Sequence, residues 1–73
     1  DVFYIKGQVK GPGSYILLPH MTLTMALARG GGITDLGSDS HIKVVRKNVE
    51  MSPKDLNIEI LPDDVIDVGE GWF

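Results

Sequence analysis

Few residues of this chain have the type and spacing that chemistry needs. His20 and His41 are far apart in sequence, each in a turn or strand-edge context, and neither Ser14 nor Ser38 has a nearby histidine in the pattern of a hydrolase. Asp63 and Asp64 are adjacent, so on an extended chain they point to opposite sides and cannot act as a general acid/base pair. Asp64 is better placed to accept backbone amides within its own turn. Together with Asp67 these carboxylates do not follow a calcium-loop spacing. There is no cysteine, which removes thiolate metal sites and disulfides. The residues therefore point to binding rather than catalysis, with no cofactor and no metal expected.

Binding residues are easier to name. Tyr4, Tyr15 and Trp72 have flat apolar faces and hydrogen-bonding edges suited to stacking on sugar rings, and Lys6 and Gln8 alternate with the apolar positions of the first strand. Packing in a core or interface is the competing role for each aromatic. The triple glycine Gly30 to Gly32 follows a helix instead of preceding one, so it reads as a C-terminal stop and not as a phosphate cradle.

The elements that position these residues follow from period and turn chemistry. Residues 2–9 alternate as a half-buried strand, with Gly7 marking a bulge or the close approach of another backbone. Lys10 to Gly13 predict a type II turn, with Pro12 and Gly13 at its central positions. A second strand runs from Ser14 to Leu18. Thr22 is placed to cap a short helix whose apolar positions are Leu23, Ala26 and Leu27. Asp35 to Ser40 read as a turn and His41 to Lys47 as a strand. Ser52 to Asp55 read as a turn or a short helical start, with Pro53 at a first helical position. Ile58, Ile60 and Leu61 suggest a short strand, Pro62 to Asp64 a turn, and Val65 to Val68 a final strand followed by a Gly-Glu-Gly linker.

Length and charge set the bounds. Seventy-three residues make a single domain, 1–73, with a thin core, and a start at Asp1 suggests excision from a larger protein. No apolar run approaches the roughly 20 residues of a spanning helix, so no direct membrane insertion is expected of this stretch. The net charge of −3 argues against nucleic acid as a partner. Residues 1–48 hold six basic and three acidic side chains, whereas residues 49–73 hold one basic and seven acidic. Such a division suits head-to-tail packing of copies, although ordinary solvated faces are the simpler account, because charge asymmetry alone is weak evidence.

The ordered set Gly7-Gln8-Val9, Pro12-Gly13, Tyr15, Thr22-Leu23, Ala26-Leu27, Gly31-Gly32 and Thr34, then Ile42 to Lys47 and a late Leu61-Pro62-x-Asp64-Val65-Ile66-x-Val68, resembles the soluble-ligand-binding β-grasp (SLBB) domain. More narrowly it is similar to copies found in bacterial capsule and exopolysaccharide export proteins. Gly7, Pro12, Gly13, Thr22, Gly31 and Gly32 carry the structural part of the motif. Gly30 stands where the family usually has Ala, Met25 near a usual carboxylate, and Asp63 at a usual Gly; residues 48–60 follow no family pattern.

The resemblance implies an α+β, β-grasp (ubiquitin-like) fold, a mixed sheet of four to five strands around one short helix. It also implies a non-catalytic periplasmic domain of an outer-membrane polysaccharide exporter, forming part of an oligomeric ring through which the polymer passes. An inner-membrane co-polymerase would partner the parent protein. In the structural version Lys43, Arg46 and Lys47 of one copy face Asp63, Asp64 and Asp67 of the next. In the carbohydrate-binding version Tyr4, Lys6, Gln8, Tyr15 and Trp72 contact the polymer. A third version, the β-grasp insert of a flavin- or cobalamin-associated protein, requires companion cofactor motifs.

Overall fold

In the first strand, β1 (Val2–Gly7), the alternating pattern drives Phe3 and Ile5 into the interior and leaves Tyr4 and Lys6 outside. The computed structural model describes residues 1–71, so Trp72 lies outside the described residues. The further elements are β2 (Gly13–Ile16), α1 (Leu23–Arg29), β3 (Gly37–Arg46), β4 (Val49–Met51) and β5 (Val65–Glu70). They form one mixed sheet in the order β2-β1-β5-β3-β4, in which β1 and β5 are parallel and the other pairs antiparallel. Among the described residues a single helix packs on one side. This is the β-grasp-like α+β arrangement.

The core lies between α1 and the inner sheet face. Phe3, Ile5, Ile42, Val44, Ile66 and Val68 come from the sheet, Leu23, Ala26 and Leu27 from the helix, and Val9, Met21 and Ile60 from the connections. The helix begins where Thr22 caps it: the Thr22 hydroxyl accepts from the Met25 amide at 3.3 Å. It ends at Gly30, after which Gly31 and Gly32 adopt φ of 86° and 89°, a region open to glycine at little cost. Gly30 is therefore a cap residue and not an interior one, so it carries no helix-interior penalty.

Several boundaries differ from the reading of the sequence, each for a local reason. β1 stops at Gly7, whose φ of 88° turns the chain; an ideal Cβ there would lie 2.2 Å from the Val68 carbonyl oxygen. The close backbone approach expected at Gly7 is thus present. The type II turn at Lys10 to Gly13 is replaced by a longer connection, because the amides of Lys10 and Gly11 donate to the carbonyls of Gly32 and Gly30. Gly13 instead opens β2 opposite Ile5, with φ 149°.

β3 starts at Gly37, not at His41, and the register shifts between Gly37 and Ile42, where Ser38 and Ser40 bond to each other. It ends at Arg46, because Lys47 and Asn48 take φ of 50° and 66° and form the two-residue turn of a hairpin into β4. No helical start forms at Ser52 to Asp55. Ile58 to Ile60 instead run beside the helix entrance, linked by Leu23 N–H to the Ile58 carbonyl and Ile60 N–H to the Met21 carbonyl. Gly69 and Glu70, read as linker, extend β5.

Candidate functional site

The face of the sheet turned away from α1 carries no covering layer among the described residues. The register lays its side chains in rows. Tyr4 has Ser14 and Val65 as neighbours, and Val65 in turn lies opposite Val45. In the adjoining row Lys6, Asp67 and Lys43 are aligned across β1, β5 and β3. Lys6 Nζ lies 4.0 Å from Asp67 Oδ2, and Lys43 Nζ lies 3.8 Å from Glu50 Oε1. Tyr4 is 40% exposed. The result is a partly apolar platform, Tyr4-Val65-Val45, edged by two ammonium groups and a carboxylate: a flat surface able to stack on an apolar ring face and hydrogen-bond at its rim.

The other binding residues named from the sequence go elsewhere. Tyr15 faces the core side, stacks on Phe3 at 5.9 Å between ring centroids, and donates its hydroxyl to the Gly11 carbonyl. Gln8 accepts from the Thr34 hydroxyl at 3.0 Å and so pins the chain leaving β1. Both serve the fold. The structure therefore unites Tyr4 and Lys6 and separates them from Tyr15 and Gln8.

The two charged sets are redistributed as well. Asp64 is completely buried, and Arg46 clasps it: Nη2 donates to Oδ2 at 2.8 Å and Nε to Oδ1 at 3.1 Å. Asp64 Oδ2 also accepts the Leu61 amide at 2.9 Å, the turn role anticipated for it, and Arg46 Nη2 reaches the Glu59 carbonyl at 3.1 Å. Bonding to Asp64 raises the Arg46 pKa above its ordinary value, against the opposing pull of burial. Neither group faces outward to meet a neighbouring copy. Lys47 and Asp63 line one shallow hollow of the same chain with Val45, Asn48, Pro62 and Val65. Lys43 and Asp67 are cross-strand neighbours. The acidic β5 sits between β1 and β3, so the basic-to-acidic division along the sequence does not become a division in space.

Two further concavities are lined by none of the binding or interface candidates named from the sequence. A groove of about 380 Å³ lies beside the helix, lined by Leu18, Pro19, Met21, Met25, Ala28 and Arg29. Its signal was the recurrence of Met21, Met25 and Ala28-Arg29 at helical spacing after an apolar Leu-Pro step. A more polar cleft of about 410 Å³ lies between β3 and residues 52–56, with Asp39, Ser40, Ser52 and Lys54 around Ile42 and Leu56. Among the described residues there is no cluster of three or more His, Asp or Glu able to hold a metal ion. His20 Nδ1 lies 3.6 Å from Glu59 on the surface.

A β-grasp-like sheet with an open, mixed apolar and charged face and shallow grooves has the architecture of a binding module. The SLBB domain model matches residues 2–55, and the chain belongs to this family of soluble ligand-binding domains. The match ends before β5, which contributes Asp67 to the open face. No curated protein matches the chain.

Proposed function

We propose that this is a non-catalytic domain of a bacterial polysaccharide export protein, at the periplasmic face of the outer membrane, that builds part of an oligomeric ring wall and contacts the exported polymer. The observation that carries the reading is the uncovered sheet face of an SLBB domain, on which Tyr4, Lys6, Asp67 and Lys43 come together. Most of the remaining polar side chains named from the sequence are consumed within the fold: Arg46 by Asp64, Gln8 by Thr34 and Tyr15 by Gly11. What is left over is surface, which suits contact and not turnover.

Copies of the chain and the polymer are the partners under this reading, with the inner-membrane co-polymerase acting through the parent protein. The test is titration of isotopically labelled chain with oligosaccharides from the exported polymer. Saturable amide shifts at Tyr4, Lys6, Asp67 and Lys43 support polymer contact on this face. Shifts confined to the polar cleft around Asp39 and Lys54 move the contact there, and no shifts in an assembled ring refute polymer contact.

A further inference from the structure

We infer that the two edges of the sheet join between copies, β4 of one chain adding to β2 of the next in an antiparallel pair, so that repeated copies form one continuous sheet. This deepens the ring-wall reading and rests on it for its biological setting, but its geometry comes from the strands themselves.

Direction comes first. β1 and β5 run the same way, β2 is antiparallel to β1, and β3 reverses β5. β4 reverses β3 and therefore runs opposite to β2. A second copy set alongside in the same orientation presents its β4 antiparallel to β2 without being turned over.

Backbone polarity comes second. Leu17 N–H donates to the Asp1 carbonyl, so Leu17, Tyr15 and Gly13 point their backbone groups at β1. The N–H and C=O of Ser14 and Ile16 then face the free edge. In β4 the two-residue turn makes Arg46 and Val49 the closing bonded pair, so Val49 and Met51 bond to β3 and Glu50 turns its groups outward. Both free sets belong to residues on the open face, since Ser14 neighbours Tyr4 and Glu50 neighbours Val45. Pairing Glu50 with Ile16 keeps the open faces of both copies on one side.

Side chains come third. That register places Val49, 60% exposed on the helix side of its edge, next to Leu17 and Leu18 at the rim of the apolar groove containing Met21 and Met25. Neither edge strand contains Lys, Arg or Pro, the residues that normally block edge pairing, and Glu50 is the only charge on either, so no like charges meet. The contact uses different patches on the two copies, so it repeats and closes to a ring when the rotation allows. Tyr4 and Lys6 of every copy then line the same surface.

The chain has no cysteine of its own, so engineered pairs read cleanly. The residues of a bonded antiparallel pair lie about 5.5 Å apart at Cα, within disulfide range. Single variants Ile16→Cys and Glu50→Cys are mixed at millimolar concentration in a thiol/disulfide buffer, with Ser38→Cys replacing Ile16→Cys as control, and sedimentation of the unmodified chain is run in parallel. The expected result is an I16C–E50C heterodimer in excess over random pairing and over the control, lost when Ser14→Pro is added to the Ile16→Cys chain. Oligomers in sedimentation without that excess overturn edge pairing and leave the ring-wall reading standing. A chain that stays monomeric with no excess crosslink overturns both.

Discussion

Arg46 on β3 and Asp64 in the turn before β5 form a clasp in which the carboxylate is fully buried and both its oxygens are bonded. Removing one partner strands a buried charge, which costs about 3–5 kcal/mol. Arg46→Met is therefore predicted to lower the urea midpoint far more than the double variant Arg46→Met/Asp64→Leu lowers it beyond the single. Additive losses in the double-mutant cycle would show that the two groups act independently.

The pH dependence of that clasp has a definite sign on the arginine side. A cation whose folded pKa is raised gives stability that is fully present below its ordinary pKa and lost only as pH rises through the raised value. For Arg46 this window lies above ordinary working pH. The arginine charge therefore adds no slope to stability between about pH 6 and about pH 9, which urea titrations of the unmodified chain and of Arg46→Lys, a cation over the same range, can check by their constant difference.

At Gly7 a methyl group meets the Val68 carbonyl oxygen at 2.2 Å and the backbone is left-handed, so space and conformation both oppose a side chain. At Gly32 the conformation alone opposes it, with nothing within 4 Å. Gly32→Ala is predicted to cost about 1–2 kcal/mol, and Gly7→Ala more than about 3 kcal/mol. Equal losses in denaturant midpoint would contradict the close approach of β1 and β5.

At the helix entrance Met25 fills the position from which a carboxylate would reach back, and its sulfur lies 3.5 Å from the Thr22 amide. A thioether is a weak acceptor. Met25→Glu should stabilise the chain by about 0.5–1 kcal/mol through a stronger bond and a favourable charge at the helix start. Thr22→Ala should cost about 1 kcal/mol. Thermal unfolding of the two variants reads both signs.

The two tyrosines separate function from fold. Tyr4→Ala removes a half-exposed ring from the open face and is predicted to abolish oligosaccharide shifts with little change in unfolding temperature. Tyr15→Phe removes the bond to Gly11 and is predicted to cost about 1 kcal/mol while leaving those shifts intact. The reverse pattern would move the binding surface to the core side of β2.

Local patterns determined a good deal of this protein from sequence alone. Alternation in residues 2–6 fixes which face of β1 is buried, Thr22 fixes the helix start, and Gly30 to Gly32 fix its end, because each signal lies within a few residues of what it specifies. What only the tertiary structure decided is where the late strand goes. β5 inserts between β1 and β3, so acidic Asp67 lands between Lys6 and Lys43, Asp64 is drawn under Arg46, and the charge division along the chain disappears. The same insertion leaves β2 and β4 as the two edges. Strand order depends on contacts between residues far apart in sequence, and neither period nor turn chemistry carries that information.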